Sequence, residues 1–236
     1  MKQSSVNYFV IIPAAGLGTR MKNAIPKQYL TVKGKSILEH TLKSLLSYQK
    51  FKKGVVVINK TDKYWPSLQV KYSKLITAIG GQARCNSVLN GLLALKPYVK
   101  ENDWILVHDA ARPFIQLSDI DKLINALKDD PLGGILGTPL KNTIKYIDNK
   151  QYIFETLDRR SLWEALTPQM FRYHWLLQAL SSAIEKNQAI TDEANALELL
   201  GKHPKIIEGR ADNIKITDPY DLTLFEYYYI KNRVKK

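Results

Sequence analysis

The sequence predicts an α/β fold in which a mainly parallel sheet is flanked by helices, and three observations predict it. Short apolar runs recur at Tyr8 to Ile12, Val55 to Ile58, Leu75 to Ile79 and Trp104 to Val107, with the unbroken hydrophobicity of strands buried on both faces. Segments with apolar residues at helical spacing alternate with these runs. The first run breaks at Pro13 into a stretch with Ala14, Ala15, Gly16 and Gly18, small residues that let a backbone approach a ligand closely. A length of 236 residues suits one large α/β domain, with two small ones possible on length alone, and the absence of any linker or internal repeat favours a single domain over 1–236.

The elements follow in chain order. After the glycine loop and its two cations, Arg20 and Lys27, Ser36 and Glu39 form a capping box ahead of Ile37, Leu38, Leu42, Leu45 and Leu46, which predicts a helix. The strand at Val55 to Ile58 comes next, Tyr64 to Lys74 is ambiguous, and Leu75 to Ile79 reads as a strand ending at Gly80 and Gly81. Val88, Leu89, Leu92, Leu93 and Leu95 then mark a second helix. Trp104 to Val107 ends in His108, Asp109, Ala110, Ala111, Arg112 and Pro113. In an open parallel sheet ligands sit outside the carboxyl ends of the strands, so this reading puts Asp109 in a working position. Ser118 with Asp121 is expected to open a third helix through Ile120, Leu123, Ile124 and Leu127, followed by a strand at Ile135 to Gly137.

The alternation then breaks. Thr143 to Ile147 and Tyr152 to Thr156 flank Asp148 and Asn149 as a hairpin, an arm at about 139–157 that is marginal in water unless it packs on something else, such as another subunit. Beyond it, Arg172 to Ile184 and Asp192 to Leu200 read as helices, and Lys205 to Ile207 and Ile214 to Ile216 as short strands. Asp218, Pro219 and Asp221 start a last helix ending near Ile230.

Two common phosphate motifs fail on this chain. A Rossmann fingerprint needs a small residue where Met21 stands, and a Walker loop ending at Gly34, Lys35 and Ser36 needs a glycine where Tyr29 stands. What remains is a loop of backbone donors with Arg20 and Lys27 to neutralise a polyphosphate, or a tight turn beside two solvated cations. The formal charge of +13 suits anionic partners, but the excess is scattered lysine without the interleaved aromatics of a base-stacking surface, so no nucleic acid is expected. No apolar run approaches the roughly 20 residues of a membrane span. The single cysteine, Cys85, permits no internal disulfide, and a cytoplasmic location is expected. None of the four histidines has metal-ligand spacing.

Assembled in order, the stretches PAAGLGTRM, PKQYL, GGQARCNSV, VHDAARP, LDRRSLWEALTPQMF, TDEANALE and GRADNIKIT resemble the 2-C-methyl-D-erythritol 4-phosphate cytidylyltransferases of the non-mevalonate isoprenoid pathway. The resemblance covers nearly the whole chain. It implies a Rossmann-like sheet of the nucleotide-diphospho-sugar transferase type with a dimerisation arm, and a reaction in which the substrate's phosphate attacks the α-phosphorus of CTP. It also implies roles. Arg20 and Lys27 stabilise the transition state, and Pro13, Ala14, Ala15, Gly16 and Gly18 cradle CTP. Gly81, Gln82 and Ser87 face the base, with Ser87 alternatively capping its own helix. Gln82 stands where relatives often carry an acid, which leaves a backbone contact there as the safer expectation. Asp109 and Ala110 lie near the ribose and Mg²⁺, with helix capping the alternative role for Asp109. Arg112, Thr143, Arg159, Thr167, Asp212 and Lys215 form the second-substrate set, with Arg159 and Lys215 gripping its phosphate. A homodimer joined through the arm follows from the same resemblance. The competing readings are a cytidylyltransferase for another polyol phosphate, such as ribitol 5-phosphate, and a basic nucleic-acid-binding protein.

Overall fold

A computed structural model describes residues 6–16, 25–68, 70 and 72–234, the last four by their backbone alone. A seven-stranded sheet carries the rest. Its strands are β1 (Tyr8–Pro13), β4 (Phe51–Ile58), β5 (Leu75–Ile79), β6 (Trp104–Val107), β7 (Gly133–Pro139), β10 (Trp163–Arg172) and β11 (Lys205–Glu208), in the spatial order β11-β7-β10-β6-β1-β4-β5. A two-residue ribbon pairs β2 (Thr31–Val32) with β3 (Lys35–Ser36), and a separate hairpin pairs β8 (Ile144–Ile147) with β9 (Ile153–Leu157). The helices are α1 (Ile37–Leu46), α2 (Arg84–Leu95), α3 (Leu117–Leu127), α4 (Tyr173–Glu185), α5 (Glu193–Glu198) and α6 (Pro219–Val234).

The pleat of β1 sorts the core into two layers. Val10 and Ile12 point to the side where Leu38, Leu42 and Leu45 of α1 and Ile120, Leu123 and Leu127 of α3 pack. Phe9 and Ile11 point to the other, against Val88, Leu92 and Leu95 of α2, Leu176 and Leu180 of α4 and Leu197 of α5. Central strands therefore have no polar face, and this is why they read as unbroken apolar runs. A third cluster seats Phe225 of α6 on Phe114, Ile37 and Ile216.

β10 is the element that the apolar pattern does not announce. It runs antiparallel to both β6 and β7 and is inserted between them. Its buried stretch contains Thr167, Pro168 and Gln169, and the pairing with β7 shifts register across them, between Ala165 and Gln169. Proline cannot donate to a ladder and sits where the ladder is interrupted, so polar and imino residues mask a strand here.

Two local expectations are corrected. The third helix starts two residues earlier than Ser118 and Asp121 suggest, because Asp119 accepts the Gln116 backbone N–H at 3.1 Å and closes the first turn from there. Ile214 to Ile216 forms no strand; the Ile216 N–H bonds the Ala111 carbonyl at 2.8 Å and ties this segment to the loop after β6. By contrast, Ser36 and Glu39 make the reciprocal capping box of α1, and Asp218 and Asp221 accept the backbone donors that open α6.

Helix α2 lies close on the sheet at Gly91, where an added Cβ would stand 2.7 Å from Ile11 Cγ2 and 3.1 Å from Val57 Cγ2. Neither neighbour is a flexible surface chain. Gly91→Val should therefore destabilise the protein by about 2 kcal/mol through overpacking. Urea unfolding measures this, and a loss under about 0.5 kcal/mol would show that α2 can lift off the sheet.

Candidate active site

The carboxyl ends of β1, β5 and β6 open into one cleft of about 280 Å³. Pro13, Ala14, Ala15 and Gly16 come to it from the end of β1, Gly81, Gln82 and Ser87 from the turn into α2, and Asp109 and Ala110 from the end of β6. Lys27 and Lys215 reach it from segments outside the sheet. Eleven side chains and backbones nominated by sequence are thus brought together from five parts of the chain. Gly18 and Arg20 lie outside the described residues.

The described start of the loop after β1, Ala14 to Gly16, is held by its neighbours. The Ala14 N–H donates to the Val57 carbonyl at 2.7 Å, and Gln28, buried behind the loop, donates through Nε2 to the carbonyls of Ala14 at 2.7 Å and Gly16 at 2.9 Å. Pulling two alternate carbonyls toward Gln28 is a way to orient the loop's amide groups. Gly80 lets the second loop come alongside, since a Cβ there would stand 2.4 Å from Ala15 Cβ. The Ser87 hydroxyl accepts the Gly81 N–H at 3.2 Å and donates to the Ala83 carbonyl at 3.1 Å, so it ties the turn to the first turn of α2.

Asp109 is the electrostatic centre. Its carboxylate is buried, and three cations meet it. Arg84 reaches Oδ1 at 3.1 to 3.2 Å, Lys215 Nζ reaches Oδ2 at 2.8 Å, and Arg112 Nε lies 3.6 Å from Oδ2. Burial alone would raise this carboxyl's pKa, but Arg84, Lys215 and Arg112 together hold it far below the usual carboxylate range. Arg84 is shared. Its Nη1 and Nη2 also grip Glu193, at the start of α5, at 2.5 and 3.0 Å.

A second network sets the backbone at Asp109. The Thr167 hydroxyl accepts the Asp109 N–H at 3.2 Å and lies 3.0 Å from His108 Nδ1, while His108 Nε2 is 3.0 Å from the Arg112 carbonyl. These partners select the neutral tautomer with Nε2 protonated, so Thr167 donates to Nδ1. Asn213 donates to the Thr167 carbonyl, and its own carbonyl accepts from Arg112 Nη1 at 2.7 Å.

The remaining nominated residues do not line this cleft. Arg112 and Thr167 are buried within the networks just described. Asp212 pairs with Arg210 at 2.6 Å, which in turn pairs with Asp119. Thr143 and Arg159 are exposed at the base of the hairpin, where Arg159 bonds the Lys141 carbonyl. Sequence reasoning did not single out Gln28, Arg84 or Glu193. Each lies inside a quoted stretch, PKQYL, GGQARCNSV or TDEANALE, but a helical arginine and glutamate 109 positions apart give no local sign that they will pair.

Residues 8–231 match the family model described as IspD, 2-C-methyl-D-erythritol 4-phosphate cytidylyltransferase. The chain belongs to this family. Two cytidylyltransferases of that name show the depth of the likeness. The one from Aliivibrio fischeri is 48% identical over 225 residues, covering 94% of this chain and 93% of that protein, and the one from Haemophilus influenzae is 47% identical, covering 95% and 97%. Among solved structures, the cytidylyltransferase of Francisella tularensis matches with a TM-score of 0.81 at 36% identity, covering 94% and 99% of the two chains. A 4-diphosphocytidyl-2C-methyl-D-erythritol synthase matches at 0.82 and 35%, covering 94% and 98%. As a member of the cytidylyltransferase family the chain is a nucleotidyltransferase, and its sheet is the family's.

A resident divalent cation needs free oxygen ligands. Both oxygens of Asp109 already take cationic donors, and among the described residues no three His, Cys, Asp or Glu side chains cluster to hold a metal. As the side chains of this cytidylyltransferase-family member stand, the donor set does not suit a Mg²⁺ ion held by protein alone.

Burial lowers the pKa of His108 to about 4 despite its hydrogen bond to Arg112. An unfolded histidine titrates near 6.5, so the unfolded chain binds more protons between pH 6.5 and 4, and stability is lost as pH falls through that window. The His108 contribution is on the order of 3 kcal/mol. Urea unfolding at pH 7 and 4.5 should show the fall, and His108→Gln should lose less between the two; equal losses would remove His108 as the cause.

Proposed function

We propose that this chain transfers the cytidylyl group of CTP to 2-C-methyl-D-erythritol 4-phosphate, giving 4-diphosphocytidyl-2-C-methyl-D-erythritol and pyrophosphate in isoprenoid precursor synthesis. We read residues 1–236 as one catalytic unit of the cytoplasm, and its one cysteine suits that compartment. The observation that carries the reading is the convergence on one cleft of a small-residue loop, Lys27, and the Asp109 and Lys215 pair.

The attacking group is a phosphate oxygen that is already ionised. It forms a bond to the α-phosphorus of CTP as the bond to the β-phosphate oxygen breaks, and pyrophosphate leaves with that electron pair. No strong general base is needed, so the protein's work is to align two anions and stabilise charge at the α-phosphate. The amides of Ala14, Ala15 and Gly16, and of Gly18 beyond them, receive the triphosphate, with Lys27 and Arg20 at the transition state. Gly81, Gln82 and Ser87 face the cytosine by their backbone and hydroxyl. Asp109 and Ala110 lie at the ribose. Mg²⁺ would be held by CTP, where it would offset the charge of the triphosphate, since the Asp109 oxygens are taken up by Arg84 and Lys215.

Lys215 meets the second substrate's phosphate from within the cleft, and Asp212 lies nearby in sequence for its hydroxyls. Thr143 and Arg159, exposed at the base of the hairpin, complete that subsite across a homodimer. Exposed aromatics on β8, β9 and their turn support this use of the arm, since Tyr146, Tyr152 and Phe154 are more than half exposed in one chain. Thr167 and Arg112 contribute from behind, by fixing the backbone and the carboxylate of Asp109.

Incubating the protein with CTP and either 2-C-methyl-D-erythritol 4-phosphate or ribitol 5-phosphate, and following pyrophosphate, tests the reading directly. Faster turnover of ribitol 5-phosphate would overturn the substrate assignment. Lys27→Ala should cost about 3 kcal/mol of transition-state stabilisation, near a hundredfold in kcat, with circular dichroism unchanged; near-normal turnover would remove it from that role. Deleting Lys141 to Glu155 should leave a monomer with little activity, and a fully active monomer in sedimentation would refute the arm's role.

A further inference from the structure

Arg84 lines the cleft with its side chain 30% exposed, yet its guanidinium has little left to offer a phosphate. Nε and Nη2 face Asp109, and Nη1 and Nη2 face Glu193. Arg84 is therefore a brace between two carboxylates, one of them part of the proposed nucleotide site. Glu193 is itself held from the other side. It is the first residue of α5, whose cap Asp192 accepts the Asn195 N–H at 2.9 Å and the Gln169 side-chain amide at 2.8 Å, while the Gln169 carbonyl accepts the Ala194 N–H at 3.0 Å. Gln169 belongs to β10 and is fully buried. The order of contacts runs from β10 through α5 and Glu193 to Arg84, Asp109 and Lys215, across more than one layer of the fold.

We propose that Glu193, which lies outside the cleft, is a positioning residue for cytidylyl transfer: it holds Arg84 back from the triphosphate and against Asp109, so that Asp109 and Lys215 keep the geometry of attack. This rests on the activity proposed above. The physical reason is charge bookkeeping within the cleft. With Glu193 in place, two buried carboxylates face Arg84, and the guanidinium is satisfied on both edges in the geometry that suits a forked cation. Without that charge, Asp109 alone balances the guanidinium, and its Nη1 edge is free to meet the phosphates of CTP as well. Ground-state binding of CTP then strengthens while alignment at Asp109 loosens, a combination that lowers turnover without weakening the substrate complex.

Glu193→Gln keeps the shape and removes the charge. In steady-state assays with CTP and 2-C-methyl-D-erythritol 4-phosphate, kcat should fall about tenfold. In calorimetry without the second substrate, CTP should bind at least threefold more tightly, and more steeply weakened by salt, than to the wild type. Partial unfolding would lower kcat but could not tighten CTP binding. Unchanged kcat and CTP affinity in Glu193→Gln, beside an active wild type, would overturn the inference alone, as would a fall in kcat with CTP affinity unchanged or weaker. An inactive wild type would instead overturn the underlying activity. Should Glu193→Gln fail to fold, Arg84→Lys, which keeps the charge but cannot bridge both carboxylates, should show reduced kcat with CTP affinity retained or raised. Wild-type kcat in that variant would equally overturn the inference.

Discussion

A buried carboxylate at the end of a central strand is costly unless something neutralises it, and at Asp109 three cations do so. Much of the local architecture answers to that requirement. Arg84 comes from the start of α2, Arg112 from the same loop as Asp109, and Lys215 from the segment before α6, so satisfying one charge draws three regions to the carboxyl end of β6. A cleft dense in positive charge follows, with one negative group fixed at its centre. Such a site attracts phosphates and also spaces the cations that would otherwise repel one another.

The sheet supplies the position. β1 and β6 are neighbours, and their carboxyl ends place the small-residue loop and Asp109 side by side. The insertion of β10 antiparallel between β6 and β7 has a second effect. It brings Thr167 beneath Asp109 and Gln169 beside α5, so a strand whose middle is polar supports the site from behind. Its polar residues are unsuited to a core as such but suited to hydrogen-bonding the backbone that presents the functional groups.

Family membership makes the chain a nucleotidyltransferase, and the transfer proposed for it calls for alignment rather than for a nucleophilic side chain. Cys85 is a half-buried free thiol on α2, and His108 is a neutral, buried group with both ring nitrogens engaged. The exposed hairpin stands apart from this cleft. Thr143 and Arg159 lie at its base, and the proposed dimer is what would give them a substrate to meet.

The sequence by itself determined the strands that are buried on both faces, the capped helices α1 and α6, the hairpin, and the loop after β1, because each is written in neighbouring residues as apolar periodicity, caps or turns. Through its motifs it also determined the family and most of the residues that meet in the cleft. Tertiary structure alone decided the place of β10, where a proline and two buried polar residues hide the strand. It alone decided that Gln28 would hold the loop, that Arg84 would bridge Asp109 and Glu193, and that Arg112 and Thr167 would turn inward. These are pairings between residues 12 to 109 positions apart, and a charge or amide carries no local mark of the distant partner that will satisfy it.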